Sequence, residues 1–399
     1  MTTEAYIPQK QIGVGGFELR EPERRYLQEV IESSRLSYGP MSHRFETQFA
    51  ARHQCAHAVF CNSGTSALHI AVAALKEKHG WEDGREVIVP AVTFVATANV
   101  ILHNDLKPVF ADVESDTYNI DPDGLGDLIT EKTCAILPVH LFGQAASMER
   151  ILEMAKKNSL AVIEDSAETM FATYQGRSVG SMGDIGCFST YVAHMLVTGV
   201  GGFATTNDPD LAVMLRSIMN HGRDSIYLNI DDDQGKTVGE LEEVVNRRFK
   251  FVRPGHSFRC TELEAAIGVG QMEQADGFLA RRREIAARYT QELSDLEEVL
   301  QLPHAREDRT HSFMMYPIVL RDESKWDLVQ HLEGRMIETR EMMPLINQPV
   351  YQTLLGDIED QFPVTKRINR SGFYIGCHPY LSDKEVDYTI TQIRAYFSA

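Results

Sequence analysis

The stretch AVFCNSGTSALHIAVAALK, residues 58–76, joins a short apolar run to a polar turn and then to a helical pattern. Residues 58–61 read as a strand and residues 66–76 as a helix. The same alternation recurs downstream. Strand-like runs lie at 86–89 (EVIV), 109–112, 134–139 (CAILPV) and 160–164 (LAVIE), with a helix at 148–157. Repeated strand–helix alternation predicts an α/β fold, a mostly parallel sheet flanked by helices. From residue 259 the pattern changes. A long helical region over 261–296 carries Leu263, Ala266, Ile267 and Val269, then the basic cluster Arg281–Arg283. Two further strand-like runs, 314–320 and 372–375, have helices between and after them. This predicts a smaller C-terminal α+β domain. The division expected is 1–265 for a large domain with its N-terminal segment and 266–399 for the small one. Residues 229–248, acidic and polar, read as a loop or insertion before the apolar run 249–252.

Composition narrows the function. The chain has 399 residues, and 39 Lys+Arg against 57 Asp+Glu give a formal charge of −18. A surface this acidic repels a phosphate backbone, so nucleic acid is not the expected partner. The longest apolar stretch, 87–102, is 16 residues long and is broken by Pro90, Thr93, Thr97 and Asn99, too short and too polar for a membrane span. The N-terminus lacks the basic and apolar regions of a signal peptide. Six dispersed cysteines form no C-x-x-C pair, which argues against zinc fingers and clustered iron–sulfur ligation, and no metal is expected. A cytoplasmic protein with reduced thiols is expected.

Four clusters are candidates for chemistry. Gly64 and Thr65 stand between a strand and a helix, where free N–H groups and the helix dipole attract an anion; taken alone, a plain capping turn is the more ordinary reading. Asp165 and Glu168 follow the strand 160–164, at the end of a parallel strand where such sheets bind ligands. Ser189 and His194 lie in GDIGCFSTYVAH, 183–194, ahead of GVGG, 199–202. Ser189 can add a hydroxyl to a phosphate site, and His194 is either a base or a satisfied structural residue. Phe94, in PAVTF, is either core or a platform for a planar ring.

In order and spacing these clusters resemble the DegT/DnrJ/EryC/StrS sugar aminotransferase family of pyridoxal-phosphate enzymes, fold type I. The resemblance runs from Gly39-Pro40 through SGTSAL, VPAVTF, ADVESDTYNID, IEDSAE, GSMGDIGCFS and GVGG to RCTELEAAIG, and more weakly to the C-terminus. It implies pyridoxal or pyridoxamine 5′-phosphate as cofactor. Gly64, Thr65 and Ser189 would hold the phosphate, Phe94 would stack on the ring, and Asp165 would pair with the ring nitrogen, making the cofactor an electron sink. It also implies a homodimer with shared active sites, in which the segment carrying Ser257 and Arg259 reaches the partner subunit.

The departures from the family pattern are informative. The aminotransferases carry their Schiff-base lysine at the sixth position counted from the phosphate-loop serine. Here that position is His194, and no lysine occurs from Met182 to Gly202. Imidazole cannot form that bond, but it can act as a base. Lysine-to-histidine replacement resembles the deoxysugar 3-dehydratases of the colitose and ascarylose pathways. Glu168, where aminotransferases usually carry Gln, resembles the colitose-type enzyme, as do FKFVRPG (249–255) and GFYIGCH (372–378). Val200 stands where an acid usually precedes the Gly-Gly pair, and Ser257 where Asn is usual. The resemblance therefore implies a PLP/PMP-dependent 3-dehydratase acting on a 4-keto-6-deoxy nucleotide sugar, with glutamate as amino donor. Two alternatives stay open: an aminotransferase-like reaction on another substrate, and a degenerate cofactor-binding regulator.

Overall fold

The computed structural model describes residues 6–37, 39–224, 235–247, 249–322 and 324–398. The strands are β1 (His57–Cys61), β2 (Glu86–Pro90), β3 (Lys107–Ala111), β4 (Thr133–Ile136), β5 (Ala161–Asp165), the hairpin β6 (Thr173–Tyr174) and β7 (Arg177–Ser178), β8 (Ile185–Ser189), β9 (Gly202–Thr206), β10 (Leu300–Gln301), β11 (Met315–Leu320), β12 (Thr339–Glu341) and β13 (Gly372–Gly376). The large sheet runs in the order β1-β9-β8-β5-β4-β2-β3. Its pairs are parallel from β8 to β3, while β9 runs antiparallel to both β8 and β1. Strands β2, β5 and β8 are buried along their whole length. Helices cover both of their faces, so both faces must be apolar and the strands read as continuous apolar runs.

The helices are α1 (Glu21–Ser33), α2 (Pro40–Arg52), α3 (Gly64–His79), α4 (Val95–Leu102), α5 (Leu125–Leu128), α6 (Met148–Asn158), α7 (Pro209–Met219), α8 (Val238–Arg247), α9 (Glu262–Leu293), α10 (Trp326–Glu333), α11 (Pro349–Leu355), α12 (Pro363–Ser371) and α13 (Asp383–Phe397). Helix α9 has 32 residues and is about 48 Å long at ~1.5 Å per residue. It opens with a capping box between Thr261 and Glu264. Glu262 in its first turn is buried and accepts the amides of Gly39 (2.7 Å), Met41 (2.8 Å) and Ser42 (2.9 Å), so it caps α2 across 220 residues of sequence.

A second sheet, β10-β11-β13-β12, forms the smaller α+β unit. Its core includes Ile285, Tyr289, Tyr316, Ile318, Phe373 and Ile390, together with Ile12 from the N-terminal segment. Helix α9 packs on α1 and α2 at one end and on α13 at the other. The 265/266 division falls in its first turn.

Two sequence expectations need correction. The 134–139 run stops as a strand at Ile136, because Pro138 has no N–H for the ladder. Residues 238–247 of the expected loop form the amphipathic helix α8, while 229–234 and 248 lie outside the described residues. The antiparallel β9 was not anticipated: Gly202–Thr206 follows a glycine-rich turn and lacks an apolar run at its head. No helix among the described residues is long and apolar enough to cross a membrane.

Candidate active site

The carboxyl ends of β5 and β8 and the start of α3 converge. Ser63 caps α3, its Oγ accepting the Ser66 amide at 3.0 Å. Gly64 and Thr65 therefore occupy the first helical positions, whose N–H groups lack intrahelical acceptors. A Cβ on Gly64 would stand 2.7 Å from the Ser189 Cβ, so only glycine lets the end of β8 come this close. One amide-rich helix end and one hydroxyl side chain thus share a small space suited to a phosphate.

Asp165 ends β5 and is buried. Its Oδ2 accepts the Thr97 hydroxyl at 2.8 Å and its Oδ1 accepts the Ala167 amide at 3.1 Å. Burial pushes its pKa up, against the pull of those two donors. Thr97 lies one turn into α4, and Phe94 is that helix's N-cap. Phe94 is 59% exposed, an aromatic residue open to solvent beside a run of buried residues. Thr97 was missed in the sequence reading; its signal is the one-turn spacing from Phe94.

Glu168 is buried and accepts the Phe142 amide at 3.1 Å. Burial is the main cause that raises its pKa to about 8, with Asp165 adding to it. The side chain is therefore a neutral acid at neutral pH. Glu164, also buried, behaves oppositely. It accepts His140 Nε2 at 2.9 Å and the amides of Gly180, Met182 and Gly183, and these hold its pKa below the ordinary value despite burial. His140 Nδ1 accepts the Ala146 amide at 3.0 Å, so Nε2 carries the proton. This pair anchors the turn before β8 and was not legible from residue types alone.

His194 lies in the loop between β8 and β9. Burial pushes its pKa down to about 4, so it stays neutral at neutral pH. Its Nδ1 is enclosed and has no hydrogen-bond partner. A buried ring nitrogen left unpaired costs free energy unless a ligand meets it. Ser257 and Arg259 sit elsewhere, on an exposed segment running beside the β1–α3 turn. Asn62 donates its amide to Phe258 at 2.8 Å, and Arg259 Nη2 donates to Ser257 Oγ at 3.2 Å. Val200 is exposed on the turn before β9. The structure thus gathers Gly64 with Ser189, and Phe94 with Asp165 through Thr97, and leaves Ser257 and Arg259 on the outer edge.

Residues 18–394 match the model of the DegT/DnrJ/EryC1/StrS aminotransferase family. A GDP-perosamine synthase of Caulobacter vibrioides is 34% identical over 388 residues, covering 96% of this chain and 97% of that protein. Among solved structures, the Helicobacter pylori aminotransferase PseC, involved in pseudoaminic acid biosynthesis, superposes with a TM-score of 0.87 at 26% identity, covering 98% of this chain and 100% of that one. A mutant of GDP-4-keto-6-deoxymannose-3-dehydratase with bound GDP-perosamine superposes at 0.85 and 25% identity, covering 96% and 100%. Pyridoxal phosphate is this family's cofactor. The chemistry of the residues suits it: Gly64 and Ser189 approach closely beside a helix start, Phe94 is exposed, Asp165 is a buried carboxyl and His194 carries a buried ring nitrogen without a partner.

Proposed function

The chain belongs to the DegT/DnrJ/EryC1/StrS aminotransferase family, and we propose that within it this protein is a PLP/PMP-dependent 3-dehydratase of a 4-keto-6-deoxy nucleotide sugar, with glutamate as amino donor. The observation that carries the reading is an imidazole, His194, where the family's aminotransferases carry lysine, in a segment without any lysine from Met182 to Gly202. The bound cofactor supplies an electron sink.

The remaining work falls to side chains. Gly64, Thr65 and Ser189 would bind the phosphate, Phe94 would cover one ring face, and Asp165 would hold the ring nitrogen protonated. Glu168, neutral near pH 7, donates its O–H where an amide serves in the aminotransferases. His194, neutral and unpaired at Nδ1, would act as the base beside the bound cofactor and would return the proton to the hydroxide that leaves C3. The C3–O bond breaks and water departs; hydrolysis then frees the 3-deoxy sugar and ammonia. A lysine at 194 would capture the cofactor and favour simple amino transfer.

The second reading is amination of a nucleotide sugar with both amino groups exchanged externally. The similarity to a GDP-perosamine synthase favours it. Mass spectrometry of products from a panel of 4-keto-6-deoxy nucleotide sugars, with PLP and glutamate, separates the two. A 3-deoxy product with released ammonia supports dehydration; an amino sugar refutes it. The protein acts as a homodimer in this reading, with Ser257 and Arg259 facing the partner's site. Light scattering that finds a fully active monomer would remove those two residues from the site.

A further inference from the structure

Arg282 differs from the other arginines of its helix. It lies in α9, is 2% exposed, and forms no ion pair with a carboxylate among the described residues. Its neighbours differ: Arg281 pairs with Glu284 and Asp383, and Arg288 with Asp387. The Arg282 guanidinium is met by backbone carbonyls instead. Nη1 donates to Met314 (2.7 Å), Cys377 (2.9 Å) and Phe313 (3.3 Å), and Nη2 donates to the carbonyl of His194 itself (3.3 Å).

Those four carbonyls come from three segments, two of which flank the paired strands β11 and β13. Phe313 and Met314 lead into β11, Cys377 follows β13, and His194 belongs to the loop of the large domain. Burial lowers the Arg282 pKa to about 10, which still leaves it charged at neutral pH. A buried cation without a counter-charge is expensive, and such groups persist where their hydrogen bonds define a geometry.

A second contact from the same helix acts on the same loop. Gln271 Oε1 accepts the Val197 amide at 3.3 Å. Eleven residues separate Gln271 from Arg282, about three helical turns, so both side chains leave one face of α9. The N-terminal segment closes the other side. Gly15 is so near that a Cβ there would stand 3.1 Å from the Ala193 Cα. Gly13 meets His378, the residue after Cys377, with His378 Nε2 3.2 Å from the Gly13 carbonyl.

We propose that Arg282 is a positioning residue for His194: its guanidinium ties the loop that carries the imidazole to the ends of β11 and β13. The catalytic loop and the small sheet then hold one relative placement, and the ring nitrogen keeps one direction. The inference rests on the reading of His194 as the proton-transfer group, but its structural half stands without any substrate. The groups facing the imidazole are the Tyr191 ring from its own loop, at 6.3 Å between centroids, and Arg282 from α9.

The test uses the full-length protein with ring-labelled histidine, followed by NMR. The His194 resonance is assigned by its loss in His194→Asn. In the parent protein it should not titrate between pH 5.5 and 8. In Arg282→Met it should shift, broaden, and titrate toward the ordinary histidine value of ~6.5. Arg282→Lys, which keeps the charge but reaches fewer carbonyls, should fall between the two and guards against a Met variant that does not fold. In turnover, kcat should drop by ~10–10²-fold with KM within about twofold, because a small misplacement of a reacting group acts on the chemical step. An unchanged His194 resonance and titration in a folded Arg282 variant, with only a lower melting temperature, would overturn the proposal and leave Arg282 as a tie between sheets. If the NMR result holds while the parent makes no 3-deoxy product, the positioning role stands and the dehydratase reading fails.

Discussion

Replacing Asp165 by Asn should leave the cofactor-free protein as stable as before while disabling its chemistry. The carboxylate has two donors, Thr97 Oγ1 at 2.8 Å and the Ala167 amide at 3.1 Å. An amide can keep Oδ1 on Ala167, and Nδ2 can donate to the Thr97 hydroxyl, which in turn donates to Thr93 Oγ1, 2.8 Å away. Exchanging charge-assisted bonds for neutral ones loses about 1 kcal/mol or less per bond. The opposing effect is desolvation. Burial raises the Asp165 pKa, so ionising it in the folded state is unfavourable, and this cost builds as pH climbs from the ordinary carboxylate value to the raised one and is constant above it. Asn does not ionise and escapes that cost. The two effects oppose, and the net change should stay within about 1–2 kcal/mol at pH 7.5. Chemistry has no such compensation. An amide cannot hold the ring nitrogen protonated by charge, and losing a key electrostatic group costs ~10²-fold or more, about 2.7 kcal/mol of barrier. Thermal unfolding of the cofactor-free protein and single-turnover kinetics with reconstituted cofactor read the two quantities separately. Turnover within about threefold of the parent would refute the reasoning. So would a stability loss above ~3 kcal/mol, which would make Asp165 a structural residue.

Glu168→Gln should keep most activity at pH 7 and remove any activity loss centred near pH 8, read in a pH–rate profile. The folded carboxyl titrates at about 8 against an ordinary 4.5, so the parent should lose stability relative to the Gln variant as pH rises across that window, with no further loss above it. His194→Asn should bind the aminated cofactor and lose ~10²–10⁴ in turnover, whereas His194→Lys should trap PLP covalently; borohydride reduction and peptide mapping should find pyridoxyl-lysine at 194 only in the latter. Glu262→Ala should destabilise the fold by about 3 kcal/mol, since three amides at the start of α2 lose their acceptor, without changing the pH profile of turnover.

Local pattern alone determined a good deal about this protein. Continuous apolar runs such as 86–89 and 160–164 must be covered on both faces, and that requirement already implies a mostly parallel sheet between helix layers. The turn at Gly64, the acid ending β5 and the histidine five residues after Ser189 were legible because each occupies a fixed offset from such a run. Tertiary structure decided the partnerships. Thr97 meets Asp165 and Glu262 caps α2 across distances in sequence that no periodicity records. Two neighbouring acids, Glu164 and Glu168, acquire opposite pKa shifts because one receives four donors and the other a single amide in a dry site. Arg282 was one of three adjacent arginines in the sequence, and only packing revealed that it alone is enclosed. The physical reason is common to all of these: side-chain periodicity encodes which face of an element is buried, but the energy of a buried polar group depends on what the rest of the chain brings against it.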